Sequence, residues 1–381
     1  MKVLMLYDYP PSPGGLATQG ALLHRGLAEA GVDVCAAHFE SPHEKEWCYR
    51  WFAPDAAIGI GYWGHAADIV LHPQRYGVTP VPWLVADGYV ANYQEVIGAL
   101  PLVLTTSDWV TRVYKRDGVK TDRFVTLPVG CDTDSFRPRP QTDPKVRAIR
   151  EQLGIAPDQI MILTVGGDAA SKGAQEVMQA LALIDAEAPD WKYVCKVWPQ
   201  DRTRNQDYED MRLATQLGID KNVVYAASRV SRDFMPYLLA ACDIYAAPSR
   251  LEGFGMIQVE ANACEKPVVG IKAMGMLDTM VHKETAFLAR VAQEVRQTEA
   301  VVGTDQGYEP SHRVIFRRPR ITDHRASVHD VAEYLLRLMR DEGLRRRMGE
   351  AGRRRVVERY DYRVVAAGCR DLIAERLELN A

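Results

Sequence analysis

The chain has 381 residues, 47% of them hydrophobic and 25% charged, with a formal net charge of −3. That length exceeds one ordinary core and predicts two domains, while the composition is that of a globular protein. The near balance of charge excludes the basic footprint expected of a nucleic-acid binder. Seven scattered cysteines without a C-x-x-C argue against a disulfide framework or a structural zinc and suit a reducing cytoplasm. No stretch reaches the roughly 18 apolar residues needed to span a bilayer, and Asp8 interrupts the short apolar run at the N-terminus, so no signal peptide is expected.

In chain order, "KVLMLY" reads as a buried strand, "DYPPSPGGLATQG" as a turn-rich loop and "ALLHRGLAEAG" as a helix closed by Gly31. "VDVCAA", "AAIGIG", "VPWLVA" and "LVLTTS" follow as further short strands, each before a turn or helix signal. The alternation predicts a parallel sheet wrapped by helices, with ligands at the carboxyl ends of the strands. Prolines and charges then accumulate, and residues 144–158 are expected to link residues 1–143 to a second domain, 159–358. The rhythm restarts with the strand "IMILTVGG" and the helix "KGAQEVMQALALIDAEAP"; "WKYVCKVW", "NVVYAA", "DIYAAPS" and "KPVVGI" follow as strands. The segment near 290–325 does not fit and reads as an insertion. The arginines at 345–347 and 353–355 read as a solvated helix face, with anionic lipid the weaker alternative.

Three features point to a phosphate-bearing ligand. Gly14 and Gly15 precede a helix, where free amides favour an anion and small residues permit close backbone approach. This is not G-x-G-x-x-G, which weakens a dinucleotide reading. "VGGDAASKG" places Gly166, Gly167 and Lys172 at the matching turn of the second half, without a P-loop pattern. In "SRLEGFGMIQVEANACEKPVVG", Glu252 precedes a Gly-Phe-Gly turn and Glu260 lies eight residues on. Helix amides beginning near Gly255 suit phosphate or sugar oxygens, and a carboxylate at 260 suits the paired hydroxyls of a ribose.

These stretches, with "SDWVTRVYKRDG" and "LPVGCDTDSFRP", resemble the retaining glycosyltransferases of family 4, most specifically in the E-x7-E pair. The resemblance covers nearly the whole chain. It implies an α/β GT-B fold: two Rossmann-like domains facing across a cleft, with a C-terminal helix, 359–381, returning to the first. It also implies a nucleotide-sugar donor of GDP-mannose or UDP-glucose type held mainly by the second domain, a sugar or lipid-linked acceptor held by the first, and hexosyl transfer without metal or cofactor. By the same resemblance Lys172 meets the diphosphate, Glu252 the donor sugar and Glu260 the ribose. The amides of Phe254, Gly255 and Met256 join the diphosphate, and the backbone near Val230 meets the base. Asp87 stands where the family often has histidine and is expected at the reacting sugar or acceptor. Gly166-Gly167 stands where the family often has Gly-Arg, which leaves Lys196 or Arg250 to supply a second cation. His65 and His72 are candidates for acceptor contact, and Tyr62, Trp63, Tyr89 and Tyr93 for stacking on sugars. The alternatives are a non-catalytic nucleotide-sugar-binding protein and a nucleotide-sugar epimerase-like enzyme.

Overall fold

The structure, a computed structural model, describes residues 1–86, 88–166, 168–199 and 206–379, without the side chains of residues 206 and 207. Two compact units divide the chain. The first comprises residues 1–132, 296–322 and 359–381, and the second residues 133–295 and 323–358.

The first unit holds a parallel sheet of β1 (Lys2–Tyr7), β2 (Asp33–His38), β3 (Ala56–Gly61), β4 (Thr79–Leu84), β5 (Val103–Thr105) and β6 (Phe124–Thr126), in the order β2-β1-β3-β4-β5-β6. Val3 to Tyr7 and all of β3 are buried, as strands covered on both faces must be. The crossovers carry α1 (Gly15–Glu29), α2 (Pro42–Trp51), α3 (His72–Arg75), α4 (Gln94–Gly98) and α5 (Asp108–Arg116). Ser41 caps α2 by accepting from the Glu44 N–H, and Ser107 caps α5 through the Val110 N–H. α1 begins at Gly15, six residues before the expected start. Gly20 is a packing contact there and not a breaker, since a Cβ on it would lie 2.4 Å from Cγ of Tyr7.

The second unit opens with α6 (Pro144–Gln152), inside the stretch expected to be linker. Asp143 caps it by accepting from the Lys145 and Val146 N–H groups, and Pro144 fills its first turn. The buried Arg150 pins it by donating to carbonyls of Ala156, Gln159 and Ala241. A second parallel sheet follows: β7 (Ile160–Val165), α7 (Ala174–Ile184), β8 (Trp191–Val197), α8 (Gln206–Gln216), β9 (Val223–Ala227), α9 (Met235–Ala241), β10 (Ile244–Ala246), α10 (Met256–Ala263), β11 (Val268–Ile271), α11 (Met276–Thr279) and β12 (Ala286–Ala289). Its strand order is β12-β11-β10-β7-β8-β9. β6 and β12, absent from the sequence reading, run three and four residues, too short for a periodic signal.

The 290–325 segment is a long ribbon of β13 (Val291–Val302) paired with β14 (His312–Ala326). α12 (Val328–Arg340) and α13 (Glu342–Arg359) follow. α14 (Tyr362–Arg376) packs on α1 in the first unit, where the Tyr362 hydroxyl donates to Glu29 Oε2 at 2.8 Å. Of the six arginines read as a solvated face, 346, 347 and 354 are exposed, but 345, 353 and 355 are partly buried. They donate to carbonyls of Leu338 and Met339, of Phe136 and Ala263, and of Asp278 and Thr279. Among the described residues no helix is long and apolar enough to cross a membrane.

Candidate functional site

In the second sheet the strand order reverses between β7 and β10, so the loops that leave their carboxyl ends diverge and open a crevice, the usual ligand position in such sheets. The loop after β7 carries Gly166 and Lys172. The loop after β10 carries Glu252 and runs into α10. The two are stitched together, because the Arg250 N–H donates to the Ser171 carbonyl at 2.9 Å. Gly173, at φ +78°, allows this: a Cβ there would meet the Pro248 carbonyl oxygen at 2.5 Å.

Lys172 and Glu252 meet directly, with Lys172 Nζ donating to Glu252 Oε2 at 2.8 Å. The Gly255 N–H donates to the other carboxylate oxygen at 3.1 Å, which ties the pair to the start of α10. Burial draws the Lys172 ammonium down, but the adjacent Glu252 charge and hydrogen bond, with Asp168, outweigh it and raise its pKa. The pair is only partly covered, with side-chain exposures of 25% and 14%, so a ligand has access to it. The N–H of Met256, at the first position of α10, has no acceptor within the helix. Phe254 is buried, and its carbonyl accepts from the Thr279 hydroxyl. Gly275 braces the loop from outside, its N–H donating to the Glu252 carbonyl at 3.1 Å.

Glu260 is buried on α10 at 2% exposure. Its Oε1 accepts from the Arg232 guanidinium, whereas Oε2 is buried and has no hydrogen-bond partner among the described residues. Burial pushes its pKa up against the opposing pull of Arg232. Both glutamates act on Tyr245 of β10, whose hydroxyl is raised first by burial and further by the two charges. Arg232 was missed by sequence reasoning. It lies 28 residues from Glu260 in the loop after β9, beside the partly buried Val230, and covers the Phe136 ring at 4.6 Å. No local pattern links it to the E-x7-E pair.

Of the two candidates for a second cation beside Lys172, Arg250 is already committed. Its guanidinium donates to both oxygens of Glu176, at 3.1 and 3.0 Å, and to Gln175. Gly167 and Asp87 lie outside the described residues.

Gly14 and Gly15 belong to the first unit. Gly14 is in extended backbone, φ 170°, a Cβ on it would meet nothing within 4 Å, and α1 starts behind it without a side-chain cap. Packing therefore gives no reason for glycine at 14. This sheet reverses order between β1 and β3, and Tyr62 and His65 follow β3. His65 Nδ1 is buried without a hydrogen-bond partner among the described residues, between Phe39 and Tyr62 at ring distances of 4.8 and 4.5 Å. His72 is instead packed structurally, bonded to the Tyr49 hydroxyl and stacked on Tyr76. Trp63, expected to stack on sugar, is buried core at 1% exposure.

Within the first unit the ribbon tip braces the loop that follows β4. Gln306 donates to the Tyr62 hydroxyl, its carbonyl accepts from Asn92, and the Tyr308 hydroxyl donates to the Ala91 carbonyl at 2.6 Å. Tyr89 packs on Phe316 at 5.1 Å. Asp117 gathers the same loop: its carboxylate accepts from the Val90 N–H and from Arg116, and Arg320 Nε lies 2.8 Å from it as an ion pair without hydrogen-bond alignment. Its side chain is 1% exposed. Asp117→Ala is expected to cost about 3 kcal/mol, because it strands the Arg320 guanidinium and the Val90 amide. Urea denaturation followed by circular dichroism measures this, and a loss within 0.5 kcal/mol, about the size of an inert surface change, would show that the carboxylate does not hold the loop.

Residues 145–302 match the sequence model of the family "Glycosyl transferases group 1". The chain is 29% identical over 279 residues to a D-inositol 3-phosphate glycosyltransferase of Xylanimonas cellulosilytica, covering 71% of this chain and 63% of that protein. It is 31% identical over 273 residues to D-inositol 3-phosphate glycosyltransferase 2 of Catenulispora acidiphila, covering 69% and 61%. The chain thus spans about three fifths of the length of these curated relatives. A solved sucrose-phosphate synthase from Thermosynechococcus elongatus superposes with a TM-score of 0.74 over 98% of each chain at 17% identity, which establishes the GT-B fold.

Proposed function

This chain belongs to the glycosyl transferases of group 1, and on that premise we propose that it moves a hexosyl group from a nucleotide sugar to an acceptor hydroxyl with retention of configuration. The observation that carries the reading is Glu260. A buried carboxylate with one oxygen bound to Arg232 and the other unpartnered among the described residues is costly unless a ligand completes it. A ribose hydroxyl is a fitting donor, and the backbone near Val230 is assigned to the base.

In this reading Lys172 and the amides of Phe254, Gly255 and Met256 receive the diphosphate, with Gly166 allowing close approach, while Glu252 accepts from hydroxyls of the sugar. The bond from the anomeric carbon to the diphosphate oxygen breaks and its electron pair stays on that oxygen. Lys172 and the helix amides are preorganised where this charge grows. The acceptor oxygen attacks from the face the diphosphate leaves, and its proton passes to the departing phosphate. Neither glutamate is required as acid or nucleophile, which separates the scheme from the paired carboxylates of glycosidases. Asp87 is assigned to a hydroxyl at the reacting centre, and Gly14 and Gly15 to close backbone approach at the amino end of α1. The donor is proposed to be of UDP-glucose or GDP-mannose type. The names of the relatives make a phosphorylated polyol the first acceptor to try, with sugar or lipid-linked acceptors after it.

The test is nucleotide release from UDP-, GDP- and ADP-sugars with and without D-inositol 3-phosphate, comparing the parent with Glu252→Ala. Turnover of one donor, reduced at least a hundredfold in the variant, is the expected result. Binding of a donor without release under any acceptor tried would count against transfer.

A further inference from the structure

Lys196 is a mostly buried lysine for which the site described so far has no use. It is 5% exposed, and among the described residues its ammonium has no hydrogen-bond or ion-pair partner. Other buried cations of the second unit are compensated: Arg250 by Glu176, Arg150 by Asp243 and several carbonyls. A lysine whose stem is buried and whose ammonium is partly removed from water, with no counter-charge beside it, carries a cost that an anionic ligand would offset.

Its position says which ligand. Lys196 is the penultimate residue of β8, in register with Val165, and its carbonyl accepts from the Gly166 N–H at 3.1 Å. Gly166 also lies against the stem of Lys172, since a Cβ on it would fall 2.8 Å from Lys172 Cγ. Gly166 thus meets Lys172 through its stem and Lys196 through its backbone carbonyl, at the carboxyl ends of β7 and β8 beside the switch point. Side chains alternate along a strand, so Lys196 leaves the face opposite to Tyr193 and Cys195, which lie on the side of the α8 carboxylate Asp210. Burial alone pulls the Lys196 ammonium below the usual lysine range, as expected of a cation with no counter-charge.

We infer that Lys196 is a second cation for the diphosphate of the bound nucleotide, acting with Lys172 in the place Arg250 cannot fill. The inference rests on the nucleotide reading of this site.

Calorimetric titration of the full chain with UDP and GDP, and with uridine and guanosine, tests it on the parent, Lys196→Met, Lys196→Arg and Glu260→Gln. Lys196→Met is expected to bind the preferred diphosphate roughly ten- to a hundredfold more weakly, the value of a charge-assisted hydrogen bond. Its affinity for the nucleoside stays unchanged, and Lys196→Arg keeps most of the diphosphate affinity. The thermal midpoint of ligand-free Lys196→Met is at or above the parent's, because the methionine keeps the stem and removes a partly desolvated charge. A residue needed only for packing would shift the midpoint and leave the diphosphate preference intact. Glu260→Gln weakens nucleoside and diphosphate alike, which checks the nucleotide reading separately. Parental diphosphate affinity in Lys196→Met, or equal loss of nucleoside and diphosphate, overturns the assignment while the nucleotide reading stands. If the parent binds no nucleoside diphosphate, both fall together.

Discussion

Lys172→Met is expected to lower kcat by roughly 10²–10³, the loss typical when one preorganised donor to developing charge is removed. The size follows from the position of the ammonium. It sits on a stitched pair of loops, already oriented by Glu252 at 2.8 Å, so little reorganisation is needed when negative charge builds on a leaving diphosphate. Methionine keeps the stem that lies against Gly166 and removes only the charge. Fold stability should change little by comparison, because Glu252 keeps its bond from the Gly255 N–H and has partial access to water. The effects of Lys172→Met and Glu252→Gln should be less than additive, since the two groups share one contact. Single-turnover measurement of nucleotide release separates this from a binding defect. A kcat within threefold of the parent's would remove Lys172 from the transition state.

Gly275→Ala should damage stability and activity together. A Cβ at 275 would lie 2.0 Å from the Gly253 carbonyl oxygen and 2.8 Å from the Phe254 nitrogen, both backbone atoms with no rotamer to yield. The loop must shift, at a cost of about 2–4 kcal/mol. The hydrogen bond from Gly275 to the Glu252 carbonyl is then displaced too, and the carboxylate that aligns Lys172 moves with it. Gly368→Ala is the control. That position is exposed in α14 and its Cβ would meet nothing within 4 Å, so alanine should stabilise by about 0.5–1 kcal/mol through helix propensity alone. Denaturant midpoints for both variants, with kcat for Gly275→Ala, decide the matter. Unchanged activity at 275 would mean that the Glu252 loop tolerates displacement.

Much of the site was legible because its parts are local. Lys172 follows β7, Glu252 follows β10, and both strands announce themselves as buried apolar runs ended by glycine and polar residues. The E-x7-E spacing places Glu260 on the helix that begins after Gly255. Arg232 was illegible for the opposite reason, since it reaches Glu260 from a different loop. The 145–152 stretch looked like linker because its charges mask an apolar face of Val146 and Ile149, buried only once the second unit forms.

The sequence alone determined the alternation of strands and helices, the two parallel sheets and the residues that end their strands, because hydrophobic period and turn chemistry act over a few residues. Only the tertiary structure decided that Arg250 is spent on Glu176, that Lys196 has no partner among the described residues, that Arg353 and Arg355 hold carbonyls, and that the ribbon tip braces the loop after β4. Those outcomes depend on which charges meet across distant segments and which are removed from water, and neither burial nor pairing has a local signature in the chain.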